Sequence, residues 1–558
     1  MLEFSLLNFL SFLIFLSLFW FIRTAKVILF WLYLWQLKEY HVGRFLDHFR
    51  TGKGKRLLLN KLTILKIILI LIFYVFILWN PKTSCPPSIG GISAVLYFTY
   101  FILIVLLIYF LESVKGFYDF FLKKLKKPVL TKKTVLLIST GILVEFLVLL
   151  ILILNIENIY WFAFWFLVFD ILTPIIVSII VFIFQPLAVL GRNQIIKKAK
   201  RKRDSFKNLL VIGITGSYGK TSTKEFLSVI LSEKFNVLKT EKHQNSEVGI
   251  SQCILNDLKP EHEIFICEMG AYNRGGIKLL SDIAKPKIGI LTGINEQHMA
   301  TFGSQENIVK AKFELIEALS EDGIEVLNWD NDLIIQNYKK DIKTIKYSLS
   351  KKEDIWAEDI KVEKDSLSFR VLSKDGNSAD FKLNLMGTHN IINILGAVAV
   401  AKELGMSLEE ISKACEKIEP WQSGIQLKKG INGLNIIDAT YSANPSGVIS
   451  HLEYLKIWPG KKVIIMPCLI ELGKSSKEVH KRIGQKIGDV CDLAIITTKD
   501  RFKEIRDGAM AKGMKSENIL FLENPKEIFE KTKEFSKPGD VILLESRVSA
   551  QLIKGLVI

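Results

Sequence analysis

Long, nearly unbroken apolar stretches dominate the first third of the chain. They lie at about 4–22, 62–79, 94–111, 135–155 and 159–185. Each approaches the roughly 20 residues that a helix needs to cross a bilayer. The pattern therefore predicts a multi-pass α-helical membrane region of about five transmembrane helices over residues 1–190. The apolar run 27–36 is too short to span and is expected to lie along the membrane surface.

Beyond residue 208 the pattern changes to short apolar runs that alternate with helical patterns. Strand-like runs lie at 209–212, 264–267, 288–292, 434–437, 462–466, 493–497 and 541–544, and a helical pattern lies at 305–319. This alternation is typical of α/β domains with mostly parallel sheets. We expect a basic cytoplasmic linker at 191–208, a central α/β domain at 209–420 and a Rossmann-like domain at 421–558.

Charge is distributed unevenly between these regions. The chain has 74 Lys and Arg residues against 57 Asp and Glu residues, a net charge of +17. Residues 1–207 contain 26 basic and 9 acidic residues and thus the whole excess, because the remaining residues have 48 of each. The excess therefore indicates membrane topology, and no nucleic-acid partner is expected.

Basic residues cluster in the loops 37–61 and 113–134, which are therefore expected to be cytoplasmic. In the first span Arg23 and Lys26 follow the apolar run, which favours an anchor with its N-terminus outside over a cleaved signal peptide. Five spans then place the α/β domains in the cytoplasm, at the inner face of the cell membrane. Glu145 and Asp170 fall inside predicted spans and are candidates to contact a lipid head group or a basic side chain. The alternative is a carboxyl that is neutralised or that lies nearer the membrane interface than the predicted boundaries imply.

The cysteines show no paired or metal-type spacing. They are Cys85, Cys253, Cys267, Cys415, Cys468 and Cys491. This distribution is typical of reduced, mostly buried thiols in a cytoplasmic protein.

The strand at 209–212 leads into a glycine-rich loop with the sequence Thr-Gly-Ser-Tyr-Gly-Lys-Thr at 215–221. Gly216 and Gly219 permit a turn with inward-pointing N–H groups, and a helix opens at Thr221, an arrangement that suits phosphate. Lys220 would reach the outer phosphates, and the Thr221 hydroxyl would ligate their magnesium. Ile214 stands where the general phosphate-loop pattern requires glycine, so a simple strand-to-helix turn is the alternative. The loop predicts ATP as a ligand.

Two further polar residues follow predicted strands, at the edge where open α/β sheets bind ligands. Glu268 comes just past the strand 264–267, and a carboxylate there can hold the magnesium of a nucleotide. His298 follows the strand 288–292 and is a candidate ligand for a second metal ion, with an ordinary surface or core histidine as the alternative.

Taken together, the motifs have a familiar order. The loop is followed by Cys-Glu-Met-Gly-Ala at 267–271, Gln-His-Met at 297–299, Phe-Gly-Ser at 302–304, Ala-Lys at 311–312 and Gly-Thr-His-Asn-Ile-Ile-Asn at 387–393. The series resembles the Mur ligase family, above all its MurF type, which adds D-alanyl-D-alanine to a UDP-muramoyl tripeptide. The resemblance covers roughly residues 209–558. The family's loop has its first small residue at the position of Gly213, which accounts for the departure at Ile214.

The resemblance implies a role for each matching residue. ATP phosphates would lie on Gly216, Ser217, Tyr218, Gly219, Lys220, Thr221 and Ser222. Thr221 and Glu268 would hold one Mg²⁺, and His298 a second together with Lys312, which matches a lysine that is carbamylated in many members. Asn390 and Asn393 match residues that contact adenine, with helix capping as the alternative, and Asp438 would bind the nucleotide from the last domain. The expected catalytic residues are Lys220, Glu268, His298 and Lys312.

The reaction that follows is ATP-dependent amide formation. A substrate carboxylate attacks the γ-phosphate, and an amine then attacks the resulting acyl phosphate. Catalysis would be mostly positioning, through closure of the last domain over the central one. We expect a cell-wall precursor peptide and an amino acid or dipeptide acceptor as partners, membrane lipid around the first region, and a monomeric chain.

Several positions depart from the family. Gln426 stands where members have an arginine, Ala439 stands where they usually have a second aspartate, and 543–547 replaces a Lys-Gly-Ser-Arg run. The usual domain that binds the uridine nucleotide is missing, and the five-span region occupies its place. We therefore expect a substrate that is lipid-linked or handed over at the membrane.

Two other readings compete with a MurF-like ligase. One is a ligase resembling the poly-γ-glutamate or folylpolyglutamate synthases. Against it, three motifs favour the MurF type: Gln297-His298, Phe302-Gly303-Ser304 and Glu471-Leu472-Gly473. The other is a non-catalytic ATP-binding membrane scaffold, which the changes at Gln426 and Ala439 suggest.

Overall fold

The computed structural model describes residues 2–79, 92–156, 159–241, 244–339, 341–441 and 444–558. The chain divides into two compact units, Met1–Gly191 and Arg192–Ile558.

The first unit is helical, apart from short turns, over its described residues. Its helices are α1 (Leu2–Leu37), α2 (Val42–His48), α3 (Gly52–Leu58), α4 (Lys61–Trp79), α5 (Ile92–Phe121), α6 (Lys132–Asn155) and the first part of α7 (Ile159–Ser205). Five stretches of this described part are long and apolar enough to cross a membrane, namely Leu13–Leu37, Gly52–Leu78, Thr99–Phe121, Lys132–Asn155 and Tyr160–Ser205. Their number equals that of the predicted spans.

The run 27–36 is not a separate surface segment, and that prediction was wrong. It continues α1, and the apolar stretch Leu13–Leu37 encloses Arg23 and Lys26. No Gly or Pro lies between residues 22 and 27 to end the helix. Lys26 pairs with Asp119 at 2.7 Å and Arg23 with Glu112 at 3.5 Å, so both charges have partners inside the bundle.

Four charged side chains, Arg23, Lys66, Glu112 and Asp170, connect four helices and form what we call the four-helix charge cluster. Asp170 of α7 pairs with Arg23 of α1 and, at 2.5 Å, with Lys66 of α4. Lys66 also pairs with Glu112 of α5. Asp170 thus faces basic side chains, which is one of the surroundings predicted for it.

Glu145 of α6 has different surroundings. One carboxylate oxygen accepts a hydrogen bond from the Thr173 hydroxyl at 3.3 Å. The other is buried and has no hydrogen-bond partner among the described residues. Glu145 therefore has a neutral partner where Asp170 has two cations.

The second unit alternates helices with strands. Its helices after α7 are α8 (Lys220–Leu231), α9 (Glu247–Asn256), α10 (Gly276–Ala284), α11 (Met299–Phe302), α12 (Gln305–Glu317), α13 (Asp332–Asn337), α14 (His389–Glu403), α15 (Leu408–Cys415), α16 (Pro445–Leu455), α17 (Ser476–Val490), α18 (Phe502–Met510), α19 (Pro525–Phe535) and α20 (Ala550–Leu556). Its strands are β1 (Leu210–Thr215), β2 (Val237–Lys239), β3 (Ile264–Glu268), β4 (Ile288–Leu291), β5 (Ile324–Asn328), β6 (Lys343–Ser348), β7 (Ile355–Val362), β8 (Leu367–Ser373), β9 (Ser378–Leu383), β10 (Gln426–Lys429), β11 (Asn435–Ala439), β12 (Lys462–Met466), β13 (Leu493–Ile496), β14 (Ile519–Phe521) and β15 (Val541–Glu545).

The central sheet has nine strands in the order β2-β3-β1-β4-β5-β6-β7-β8-β9. Pairing is parallel from β2 to β7 and antiparallel from β7 to β9. The predicted strands at 209–212, 264–267 and 288–292 are confirmed as β1, β3 and β4, and the helix at 305–319 as α12. Phe226 of α8 and Val398 of α14 are fully buried in the core that covers one face of this sheet.

The second sheet has six strands in the order β10-β11-β15-β12-β13-β14. Only β10 pairs in the antiparallel sense. The four strands predicted between residues 434 and 544 are confirmed as β11, β12, β13 and β15. Helices cover both faces, with Leu452 and Ile483 buried on one side and Ile528 and Leu552 on the other. The α/β class predicted for this part of the chain is confirmed.

The stretch predicted as a basic linker is helical up to Ser205. Within the second unit, Ile196 and Ala199 are buried beside the α9 residue Ile250. Lys202 donates a hydrogen bond to the carbonyl of Leu255 at 3.0 Å. Basic residues and packing residues therefore share the end of α7.

Buried, unpaired thiols occur throughout the second unit. All five described cysteines, Cys253, Cys267, Cys415, Cys468 and Cys491, are free and buried, as predicted. Cys85 lies outside the described residues.

Candidate active site

The glycine-rich loop lies between β1 and α8, at the carboxyl edge of the central sheet. Gly219 has φ 78°, a left-handed conformation that favours glycine, and a Cβ there would lie 2.4 Å from Asn393 Oδ1. A Cβ on Gly216 would lie 2.1 Å from Thr292 Oγ1. Neither position has room for a side chain, so close packing requires both glycines.

The segment after β4 holds this loop in place. Ser217 N–H donates to the Gly293 carbonyl at 2.7 Å, and the Thr292 hydroxyl donates to the Tyr218 carbonyl at 2.5 Å. Asn331 donates to the Tyr218 hydroxyl at 3.2 Å. Hydrogen bonds from neighbouring segments therefore hold the loop in its conformation.

Two predicted ligands of phosphate or magnesium begin α8. The Lys220 ammonium donates to the Gly216 carbonyl at 2.7 Å, and Ser222 follows on the first helical turn. Burial lowers the pKa of Lys220, an effect that the nearby Glu268 carboxylate opposes. The Tyr441 hydroxyl of the C-terminal domain lies near enough to Thr221 for the two side chains to interact. Lys220 and Thr221 thus lie close to both Glu268 and the second sheet.

Glu268 ends β3 and is held by Asn245 and Lys224, neither of which was predicted to be a site residue. Asn245 donates to Glu268 Oε1 at 3.1 Å. The Lys224 ammonium lies 3.7 Å from Glu268 Oε2 and donates to the Thr240 carbonyl at 2.7 Å. Lys224 is fully buried one helical turn after Lys220, and its spacing on α8 was the signal that could have indicated its role.

His298 immediately precedes α11. Its Nδ1 lies 2.7 Å from Glu471 Oε2, a carboxylate of the C-terminal domain. The Tyr272 ring lies edge-on to the imidazole, with 4.9 Å between the ring centroids. Burial lowers the pKa of His298 and outweighs the opposing hydrogen bond to Glu471. Burial thus favours the neutral form of the imidazole.

Lys312 lies on α12 and is buried. Its ammonium faces the Phe302 ring at 5.8 Å, and among the described residues it has no hydrogen bond or ion pair. Burial lowers the pKa of Lys312 to about 7, with a further contribution from the charge of Lys220. Its amine is therefore substantially uncharged at neutral pH.

The predicted adenine contacts lie on α14. Asn390 is fully buried, and its amide donates to the Met386 carbonyl at 2.8 Å. Its Oδ1 has no hydrogen-bond partner among the described residues. Asn393 lies against Gly219 of the loop. An orphaned buried acceptor beside the loop fits a donor such as the adenine amino group.

Asp438, which was predicted to bind the nucleotide, contacts other protein side chains. Lys428 donates to Asp438 Oδ2 at 2.6 Å, and the Thr440 hydroxyl donates to Oδ1 at 2.6 Å. Both oxygens thus have protein partners. On the neighbouring strand the buried Glu545 pairs with His451 at 2.7 Å, directly opposite Ala439 in register. A carboxylate is therefore present beside the position where the resemblance leads one to expect an aspartate.

The donor set fits magnesium shared with phosphate. The described residues contain no group of three His, Cys, Asp or Glu side chains that could hold a metal ion alone. Magnesium is usually held by one or two carboxylates together with substrate phosphates, which matches Thr221 and Glu268. An unmodified Lys312 ammonium does not fit a second metal ion, whereas a carbamate at that position does.

Comparison with known proteins gives consistent matches. Residues 214–401 match the family model of the Mur ligase middle domain, and residues 425–547 match that of the Mur ligase, glutamate ligase domain. The UDP-N-acetylmuramoyl-tripeptide–D-alanyl-D-alanine ligase of Bacillus subtilis is 30% identical over 339 residues, 60% of this chain and 72% of that protein. The enzyme of the same name from Synechocystis is 33% identical over 280 residues, 50% of this chain and 59% of that protein.

Solved structures show the same relationship. MurF from Acinetobacter baumannii has a TM-score of 0.59 and 25% identity, covering 65% of this chain and 80% of its own. MurF from Thermotoga maritima, in complex with ADP, has a TM-score of 0.57 and 29% identity, covering 65% of this chain and 83% of its own.

Fold and site together define an ATP-dependent ligase. The chain belongs to the Mur ligase family, and the relatives and structures described above are of the MurF type. The predicted family is confirmed. The helical unit before residue 192 lies outside both family matches.

Proposed function

We propose that this chain forms an amide bond between a cell-wall precursor peptide and an amino acid or dipeptide, through an acyl phosphate, at the cytoplasmic membrane face. One observation carries the proposal. Lys220, Glu268, His298 and Lys312 lie close enough together that the Lys220 charge interacts with each of the other three. Four groups from four separate motifs thus converge at the phosphate loop.

The first step is phosphoryl transfer from ATP. The loop amides and Lys220 hold the phosphates, and Asn390 offers its orphaned oxygen to the base. Thr221 and Glu268 would hold Mg²⁺, which when bound offsets phosphate charge. A substrate carboxylate attacks the γ-phosphorus, the bond to the leaving ADP oxygen breaks, and an acyl phosphate results.

Lys312 would act as a carbamate. The neutral amine that its lowered pKa allows can attack CO₂, forming an N–C bond and releasing one proton. The product is an anion in a place where the described residues give Lys312 no carboxylate partner. Together with His298 it would hold a second Mg²⁺.

In the second step the amine attacks the acyl carbon, the C–O bond to phosphate breaks, and the proton lost by the amine leaves with the phosphate. No side-chain nucleophile is needed, because the acyl phosphate is already activated. Contacts between the two α/β domains support the closure that this step requires. Arg482 binds both oxygens of Glu296 at 3.0–3.3 Å, and Asn295 donates to the Ser446 hydroxyl at 2.9 Å.

The substrate class is inferred from relatives and from the helical unit. The Bacillus and Synechocystis proteins are named for joining D-alanyl-D-alanine to a UDP-N-acetylmuramoyl tripeptide. The first unit has five candidate spans and, in its described residues, no sheet. We propose that the chain is a monomer in the cell membrane with its N-terminus outside, and that a lipid-linked peptidoglycan precursor donates the carboxylate; the five candidate spans support this proposal.

The test is an assay of the full-length protein in lipid nanodiscs with ATP and Mg²⁺. Donors would be a UDP-linked tripeptide and its lipid-linked counterpart, and acceptors would be D-alanyl-D-alanine, single amino acids and glutamate. We expect acceptor-dependent phosphate release and a new amide product with the lipid-linked donor and a dipeptide. Use of glutamate alone indicates a poly-γ-glutamate-like or folylpolyglutamate-like ligase. Equal use of the UDP-linked donor overturns the lipid assignment, and ATP binding without any product supports a scaffold.

A further inference from the structure

Glu471 reaches His298 from the C-terminal domain. It lies in the segment after β12, is buried, and places Oε2 2.7 Å from His298 Nδ1. Its carbonyl accepts a second hydrogen bond across the same junction, from Ala300 N–H at 3.0 Å. Main chain and side chain of Glu471 thus both contact the short segment that carries His298.

The direction of the side-chain hydrogen bond follows from its chemistry. An ionised carboxylate only accepts, so Nδ1 of the imidazole must donate. In a neutral imidazole one nitrogen bears the proton and the other has a free lone pair, so Nε2 is the free nitrogen. Nε2 has no hydrogen-bond partner among the described residues. This arrangement is that of a metal-binding histidine oriented by a carboxylate.

Both residues adopt a backbone conformation that is uncommon for side chains other than glycine. His298 and Glu471 each have φ 64°, in the left-handed region. Such conformations are unfavourable for residues other than glycine and persist where surrounding contacts fix them, often at functional sites. Contacts at the junction therefore hold His298 and Glu471 in one geometry despite their unfavourable backbone conformation.

We propose that Glu471 is a positioning residue that fixes the Nδ1–H tautomer of His298, so that contact between the C-terminal and central domains favours an Nε2 that is available to a ligand. The tautomer needs no ligand and follows from this structure alone. The identity of the ligand as the second Mg²⁺ depends on the proposed function. Domain contact would thereby complete the metal site.

The chain provides a matched control at the same junction. Arg482 and Glu296 also connect the two domains, but this pair is more exposed and does not touch the imidazole. Replacement of Arg482 by Ala weakens the junction without removing the partner of Nδ1. A change in the tautomer of His298 is therefore expected in Glu471→Ala but not in Arg482→Ala.

The first experiment reads the tautomer directly. The full chain, labelled with ¹⁵N-histidine and reconstituted in lipid, would be studied by magic-angle-spinning NMR without metal or nucleotide. A His298→Asn variant identifies the signal among eight histidines. We expect protonated Nδ1 in the wild type and in Arg482→Ala, loss of that preference in Glu471→Ala, and partial retention in Glu471→Gln, whose amide oxygen can still accept. An Nε2–H tautomer in the wild type overturns the proposal.

The second experiment measures Mn²⁺ binding by electron paramagnetic resonance with a non-hydrolysable ATP analogue. Loss of an oriented outer partner typically weakens metal affinity about 10–100-fold. We expect that loss at one of two sites in Glu471→Ala, a smaller one in Glu471→Gln and none in Arg482→Ala. Unchanged Mn²⁺ affinity in folded Glu471→Ala contradicts the positioning role. If the wild type binds one Mn²⁺ only but keeps the Nδ1–H tautomer, the two-metal part of the proposed function fails and the tautomer assignment stands.

Discussion

Buried lysines in the two units of the molecule have opposite surroundings. Lys66, in the helical unit, pairs with two carboxylates, those of Glu112 and Asp170. Lys312, in the ligase unit, is equally buried and has no carboxylate within ion-pair distance among the described residues. A buried charge without a partner is costly, whereas the charge of Lys66 is compensated by its partners. The two lysines are therefore expected to have different roles.

The difference teaches how buried charge can be interpreted. In the four-helix charge cluster two cations face two anions, so the charges are balanced and the cluster can act as a structural connection. In the ligase site Lys220 bonds a backbone carbonyl and Lys312 faces a phenyl ring, so both keep capacity for an anionic ligand or a chemical modification. Burial alone does not distinguish a structural lysine from a functional one, whereas the group that the lysine contacts does.

The largest effect on activity is expected at Lys220, the cation of the phosphate loop. Replacement of Lys220 by Ala removes the charge that would offset the transferring phosphate, and we expect kcat to fall by about 10³-fold. ATP-dependent phosphate release by the full-length protein measures this. The exposed Lys526, replaced by Ala, is the control and should leave the rate unchanged. A Lys220→Ala rate within about threefold of the wild-type rate would contradict a role of the loop in phosphoryl transfer.

The largest effect on stability is expected in the four-helix charge cluster. Replacement of Asp170 by Asn leaves two buried cations with one carboxylate, which should destabilise the unit by about 3–5 kcal/mol. Thermal unfolding in detergent micelles measures the change. The double replacement of Asp170 by Asn and Lys66 by Met should recover part of the loss, because it restores charge balance.

A matched control for that prediction is the Lys26–Asp119 pair. It joins the same helices α1 and α5 but is more exposed, with about a quarter of each side chain accessible. Replacement of Asp119 by Asn should therefore cost no more than about 1 kcal/mol. Equal effects of the Asp170 and Asp119 replacements would show that burial of the charge cluster does not matter for stability.

Lys312 should show a pH-dependent modification. Because its pKa is lowered to about 7, the amine is mostly protonated at pH 6 and mostly neutral at pH 8, roughly 10% against 90% neutral. Carbamylation requires the neutral form, so a ¹³C-bicarbonate NMR signal should appear as pH rises through this range. Lys312→Gln should abolish the signal, and exposed Lys310→Gln should retain it. Absence of the signal at pH 8 in the wild type excludes the carbamate.

The smallest effect is expected at the exposed pair between the two α/β domains. Arg482 and Glu296 are partly exposed, and such pairs contribute about 1 kcal/mol or less. Replacement of Arg482 by Ala should raise the KM of the acceptor by no more than about fivefold and leave the affinity for ATP unchanged. Initial-rate kinetics with varied acceptor test this, and a loss comparable to that of Lys220→Ala would place Arg482 among the catalytic groups.

Much of the fold was predictable because the parallel strands are continuous apolar runs. The runs at 462–466 and 493–497 became β12 and β13 almost to the residue, since both strands are buried on both faces. The strands from 355 to 383 were not predicted. In β8 buried and less buried residues alternate along the strand, and such half-exposed strands have weaker patterns than fully buried ones.

Site residues were predictable where a local motif fixes them, as with Lys220 on the phosphate loop. Contacts between distant segments were not, and Glu471 illustrates the reason. Its 173-residue separation from His298 means that only the packing of two domains brings them together. Likewise, Asn245 contacts Glu268 from a different segment, and no spacing in the sequence indicates that contact.

The external hydrogen bonds that hold the phosphate loop have a consequence for binding kinetics and affinity. Ordering one residue of a flexible loop costs roughly 1–2 kcal/mol in backbone entropy. Ser217 and Tyr218 are already hydrogen bonded to the segment after β4, so this ordering accompanies folding of the sheet. A nucleotide that enters then meets a rigid receptor, and association is limited by encounter more than by rearrangement of the loop.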